Sequence, residues 1–137
     1  MKKIKTKTNM LKIEEQIKQW LDKMGVKDYT INKDLTIDVD GSVDLFNKKL
    51  KEIPVQFKNV RDNFFCHFNN LKSLKGVPKY LGRDFVCSHN NLKSLKSAPK
   101  EVGGDFLCAY NQIESLKGAP QIVGGFLNYY HNNLKSN

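Results

Sequence analysis

Three cysteines, three histidines and a recurring serine are the residues of this 137-residue chain whose chemistry could be reactive. Cys66, Cys87 and Cys108 stand 21 residues apart, so metal ligation and thiol chemistry are the first readings to test. On neighbouring parallel strands, spaced about 4.8 Å, Cys66 and Cys108 would start roughly 9.6 Å apart. Two sulfurs on one zinc, each about 2.3 Å from it, stand no more than about 4.6 Å apart. The column therefore fits one zinc poorly, and no Cys-x-x-Cys is present. A buried column of small apolar thiols is the simpler reading. Disulfides are not expected either. The basic start, Met1-Lys2-Lys3-Ile4-Lys5-Thr6-Lys7, is followed by Met10-Leu11-Lys12-Ile13-Glu14-Glu15, which is not the apolar stretch of a secretory signal.

The remaining candidates dissolve in the same way. Ser73, Ser94, Ser115 and Ser136 recur every 21 residues, and a nucleophile is needed once, so they read as bend residues. His67, His89 and His131 fall in two adjacent columns of that period rather than in one cluster. A His67–His89 metal pair is conceivable, but a role on a binding surface accounts for them better. Glu14-Glu15 belongs to a solvated helix, and Gly103-Gly104 lacks the Lys and Ser/Thr of a phosphate loop. The expectation is a protein without catalytic residues, bound metal or cofactor.

The elements that position these residues follow from the repeat. Phe64-Phe65-Cys66-His67-Phe68-Asn69-Asn70-Leu71 is followed at intervals of 21 by Phe85 to Leu92, Phe106 to Ile113 and Leu127 to Leu134, with Val43 to Leu50 upstream. That makes five units, the first degenerate and the last incomplete. Each reads Φ-x-C-x-x-N-x-L-x-x-L-x-x-x-P-x-x-V-G-x-x, a period that marks a solenoid. Φ and Cys alternate with period two, so they share one face of a short strand, which buries that face by stacking on its neighbours. Asn69, Asn90, Asn111 and Asn132 are expected to turn inward and satisfy backbone groups of the bend, coil to coil. Lys48 holds that slot in the first unit. Pro78, Pro99 and Pro120 should hold the return in an extended path. Gly103, Gly104, Gly124 and Gly125 should supply backbone angles other residues resist.

Residues 1–42 read as an N-terminal cap. Ile13, Ile17, Trp20, Leu21 and Met24 give helical spacing over residues 9–24, with Thr8 or Asn9 able to cap the start and Gly25 to end it. Short strands are expected within 29–39. Residues 43–137 form the solenoid. The incomplete last unit carries no polar capping segment, which suggests a homodimer through that end.

The outward columns form the functional candidate. One holds Asp44, Phe65, Val86, Leu107 and Asn128; the next Phe46, His67, Ser88, Ala109 and Tyr130; the third Asn47, Phe68, His89, Tyr110 and His131. An aromatic-rich sheet face marks an interaction site, with Phe65, His67, Phe68, Val86, His89, Leu107, Tyr110, Tyr130 and His131 as contacts. The net charge of +9 invites a nucleic-acid reading. Its lysines, however, form separate columns at the edge and return: Lys51, Lys72, Lys93 and Lys135, interrupted by Glu114; Lys75, Lys96 and Lys117; Lys58, Lys79 and Lys100. A single-strand binder would interleave aromatic and basic residues.

The unit resembles a short leucine-rich repeat of the bacterial effector type, which has a similar strand core and a proline in the return. The composite Cys-x-x-Asn-x-Leu-x-Ser-Leu-Lys-x-Ala-Pro-Lys-x-Val-Gly-Gly-Asp-Phe is also similar to repeat proteins of tailed phages and low-GC bacteria. The resemblance covers residues 43–137, about 70% of the chain. It implies an α/β repeat fold, a leucine-rich-repeat solenoid with a parallel sheet and a helix-plus-hairpin cap. Effector relatives often carry a ubiquitin-ligase domain after the repeats; residues 43–137 hold repeats only, so that activity is not carried over. The expected function is a non-enzymatic protein-binding module, inhibiting a host or defence protein. Its partner is another protein, with an acidic one favoured by the basic edge of Lys72, Lys75, Lys93, Lys96 and Lys117. The alternative is nucleic-acid binding through the lysine columns. No membrane span is present in the sequence, and a cytoplasmic setting, that of the host cell for a phage protein, is expected.

Overall fold

The computed structural model describes residues 10–135. The backbone winds as a parallel β-solenoid of about four turns with a 21-residue period. Helix α1 (Glu14–Lys23) and a hairpin of β1 (Tyr29–Ile31) and β2 (Thr36–Val39) lead into it. The coils contribute β3 (Val43–Asp44), β4 (Gln56–Val60), β5 (Phe64–Phe65), β6 (Tyr80–Leu81), β7 (Phe85–Val86), β8 (Glu101–Val102), β9 (Phe106–Leu107), β10 (Ile122–Val123) and β11 (Leu127–Asn128). β3, β5, β7, β9 and β11 stack in sequence as one parallel sheet, Val43 on Phe64 on Phe85 on Phe106 on Leu127, with no register slip.

The return segments do more than the prolines suggested. They pair as a second sheet, β1-β2-β4-β6-β8-β10, parallel except for the hairpin step. A return left as unpaired extended chain would strand its N–H and C=O groups. The 21-residue period places each return beside the next, so they satisfy one another. β2 pairs with β4 in parallel, so the hairpin is also the first rung of this sheet.

The two sheets enclose one core. Phe64, Phe85 and Phe106 stack along the axis, with ring centroids 5.8 and 5.4 Å apart, and Phe57 meets Phe64 edge-on at 5.2 Å. Cys66, Cys87, Cys108, Leu71, Leu92, Ile113, Leu74 and Leu95 complete the layers, and Ile17, Leu21 and Val26 belong to the same buried cluster. The helix begins later than its apolar spacing indicated. Ile13 is an exposed N-cap without a side-chain hydrogen bond, while Glu14 and Glu15 sit at the positive helix end. Thr8 and Asn9 lie outside the described residues. Gly25, at φ +80°, follows the last turn as expected.

Two side-chain ladders bind coil to coil. Asn90 donates to the carbonyls of Cys66 (3.0 Å) and Cys87 (3.1 Å) and accepts from the Leu71 N–H (2.9 Å). Asn69, Asn111 and Asn132 repeat this, and the Lys48 N–H reaches Asn69 Oδ1 at 3.0 Å. The second ladder was not read from the sequence: Asn63, Asp84 and Asp105 each accept from the backbone N–H one coil on, at 2.8–2.9 Å. The glycines also act differently from expectation. Gly103, Gly104, Gly124 and Gly125 are not in the left-handed region. A Cβ at Gly103 would strike the Gly82 carbonyl, and one at Gly124 the Gly103 carbonyl. Close coil stacking demands them.

The last coil differs from those before it. Leu127 is 39% exposed where Phe64, Phe85 and Phe106 are fully buried, Tyr129 is exposed where Cys66, Cys87 and Cys108 are buried, and Leu134 where Leu71, Leu92 and Ile113 are buried.

Candidate functional site

The outer face of the β3-β5-β7-β9-β11 sheet is built from the strands and the bend that follows them. Phe65, Val86 and Leu107 are half-buried on the strands. The chain then turns through a residue with positive φ in every unit: Asn47 (51°), Phe68 (56°), His89 (56°), Tyr110 (59°) and His131 (56°). Asn tolerates this region; bulky aromatic residues rarely enter it. The bend is held by backbone bonds to the next coil, such as Phe68 N–H to the Ser88 carbonyl and Tyr110 N–H to the Tyr130 carbonyl.

The consequence is a continuous ladder of rings. Phe68 stacks on His89 at 4.1 Å, His89 on Tyr110 at 4.4 Å and Tyr110 on His131 at 4.2 Å, all within 13° of parallel. Phe46 extends it, edge-on to Phe68 at 5.8 Å and 4.6 Å from His67. The inner ring faces of the run are occupied by one another, yet Phe68 and Tyr110 are each 47% exposed. Sequence columns placed these residues together; Asn47, His89 and His131 are of types that enter the left-handed region, but Phe68 and Tyr110, which favour extended backbone, masked the bend.

The middle column is uneven. Phe46 and Tyr130 are exposed, Tyr130 at 70%, while Ser88 is half-buried and Ala109 is buried, so the column is not uniformly solvent-accessible. His67 is half-buried, and its Nδ1 is enclosed with no hydrogen-bond partner. Burial pushes its pKa below the usual histidine value, outweighing the nearby Asp44 carboxylate, and His89 adds to the effect. The described residues of these three columns hold one carboxylate, Asp44, and no lysine or arginine.

The cysteines lie on the opposite side of the strand, in the core. Burial pushes all three thiols up, Cys108 to about 12, so they are protonated at neutral pH. Among the described residues no group of three or more His, Cys, Asp or Glu is placed to hold a metal ion. Ser73, Ser94 and Ser115 each accept from the backbone N–H two residues on, of Lys75, Lys96 and Lys117, and so shape the bend; Ser136 lies outside the described residues. Lys72, Lys75, Lys93, Lys96 and Lys117 are exposed. Lys72 and Lys93 border a recess of about 370 Å³ with Asn91 and Gln112, and Lys135 pairs with Glu114 at 3.3 Å. None of these lysines belongs to the ring ladder.

No helix among the described residues is long and apolar enough to cross a membrane. No protein-family model, curated protein or solved structure matches the chain.

Proposed function

We propose that the chain is a non-enzymatic protein-binding module whose partner docks on the ring ladder and the half-buried strand residues beside it. The observation that supports this most strongly is the run Phe46, Phe68, His89, Tyr110 and His131, stacked yet partly exposed, beside Phe65, Val86, Leu107 and Tyr130. Rigid aromatic residues offer large contact area at little entropic cost. The repeat core, with its inward asparagine ladder, is that of a leucine-rich repeat in which an extended strand replaces the return helix, and helix α1 with its hairpin closes the first end. The flanking lysines would steer an acidic partner and raise its association rate.

Nucleic-acid binding through the lysine columns is less well supported. Bases stack on ring faces, and here neighbouring rings fill them. Charge reversal separates the two readings. Lys72→Glu, Lys93→Glu and Lys96→Glu together should only slow or weaken protein docking, but should abolish nucleic-acid binding. Leu107→Asp with Tyr110→Asp should do the opposite. Unchanged affinity for the native partner in the Leu107/Tyr110 variant rejects the site.

Self-association through the last coil is the second proposal. It is supported by the exposed Phe126, Leu127, Tyr130 and Leu134 and by the absence of any Asp, Glu, Lys or Arg from Gly118 to Leu134, in a chain that otherwise repels its copies with a charge of +9. Sedimentation equilibrium across a wide concentration range, with Phe126→Asp as control, tests it; a strict monomer rejects it.

A further inference from the structure

The outer face of the six-stranded sheet has a second surface with different chemistry. Each rung presents two outward positions flanking an inward apolar residue. The first series runs Asp38, Asn59, Tyr80, Glu101 and Ile122, a ridge of side chains. The second runs Asp40, Arg61, Gly82 and Gly103, so beyond Arg61 the side chains stop. Coil stacking enforces those glycines, since a Cβ at Gly82 or Gly103 would meet the preceding coil's carbonyl. A ridge beside a bare floor makes a trough of about 580 Å³. At about 4.8 Å per rung the ridge from Asp38 to Ile122 runs roughly 19 Å along the solenoid, room for about five residues of extended chain.

Its charge opposes that of the molecule. Asp28, Asp38, Asp40 and Glu101 line it against a single cation, Arg61, which Asp40 already holds at 2.9 Å. Asp38 is occupied by Asn59 and Asn32. The Asp28 and Glu101 carboxylates form no hydrogen bond or ion pair with another described residue. On either side of Glu101 along the ridge stand Tyr80, 40% exposed, and Ile122, 55% exposed. An open trough with two unspent carboxylates, Glu101 between apolar side chains and Asp28 toward the hairpin, matches an extended segment that carries cations between aliphatic residues. Recognition must go through side chains, because the floor's backbone groups are used in the sheet.

We infer that this trough binds a short, extended, lysine- or arginine-containing aliphatic peptide segment of a partner protein, at a site separate from the ring ladder. The local charge complementarity carries the choice of occupant: Asp28, Asp38 and Glu101 are balanced by no cation of the trough's lining, so the trough repels phosphate and attracts a cationic chain.

The test is a titration of the ¹⁵N-labelled protein with acetyl-Lys-Leu-Lys-Leu-Lys-amide, followed by amide chemical shifts. Acetyl-Glu-Leu-Glu-Leu-Glu-amide and spermidine serve as separate arms. The expected result is saturable shifts centred on Arg61, Gly82, Gly103 and Ile122 with the lysine peptide alone. Asp28→Lys with Glu101→Lys should weaken binding at least tenfold, and Leu107→Asp with Tyr110→Asp should leave it unchanged. The same spectra report whether each variant is folded; for a variant that is not, Glu101→Gln takes its place, with weakened binding still expected. No saturable shift at millimolar peptide overturns the inference. So do shifts centred on Phe68 to His131, equal binding of spermidine or of the glutamate peptide, and unchanged affinity in the charge variants.

Discussion

Replacing Asn90 by alanine probes what holds one coil on the next. Asn90 is buried and makes three well-formed bonds: to the Cys66 carbonyl at 3.0 Å, to the Cys87 carbonyl at 3.1 Å and from the Leu71 N–H at 2.9 Å. Each such bond contributes about 1 kcal/mol net, and stranding a buried partner costs about 1–3 kcal/mol. Asn90→Ala should therefore cost about 3 kcal/mol or more, a large share of the roughly 5–15 kcal/mol of a typical domain. Asn132 makes the same bonds, but it is half-exposed and water can reach the vacated groups. Asn132→Ala should cost about 1 kcal/mol. Asn90→Asp keeps the acceptor for Leu71 but turns a carboxylate oxygen toward two carbonyls, so at pH 7 it should be worse than alanine. Urea unfolding read by far-UV circular dichroism, and by fluorescence of the single tryptophan, Trp20, measures all three. Equal costs for Asn90→Ala and Asn132→Ala, or a cost below about 0.5 kcal/mol for Asn90→Ala, would refute the ladder argument.

Three further outcomes are expected. The cysteine thiols should resist a disulfide reagent at pH 8 in the folded protein and all react in urea, folded labelling being slower by at least about 100-fold; rapid stoichiometric labelling of the native protein contradicts their burial. Gly103→Ala should cost more than about 2 kcal/mol, since its Cβ meets rigid backbone. Gly41→Ala, with open space and no positive φ, should change stability by no more than about 1 kcal/mol. His67 has a pKa lowered by folding, so the unfolded chain takes up its proton first. Its contribution is present above about pH 6.5 and is lost as pH falls through the folded value. His67→Phe should flatten the stability profile on the acid side of neutrality, and an unchanged slope excludes this role for His67.

The period, the cysteine layer and the inward asparagines were legible in the sequence because each recurs at one spacing and each has one physical use. The return strands were not, because two-residue strands beside Pro78 or Pro99 carry no alternation long enough to show pairing. The glycine column was visible, but its cause was misread: Gly103 and Gly124 need room, not rotation. The site was half legible. Register placed Phe68, His89, Tyr110 and His131 in one column. Their left-handed bend, and hence their stacking, came from a backbone state that Phe68 and Tyr110 seldom adopt by type. The trough beside Tyr80 and Ile122 was missed because it is made by side chains that are absent.

The most direct test of the account is retention of a lysate partner by three forms of the protein, each first shown to be folded by circular dichroism: wild type, Leu107→Asp with Tyr110→Asp, and Lys72→Glu with Lys93→Glu and Lys96→Glu. Docking on the ring ladder predicts a protein held by wild type, lost by the Leu107/Tyr110 variant and kept, more weakly, by the lysine variant. Retention by the Leu107/Tyr110 variant and loss by the lysine variant would contradict it.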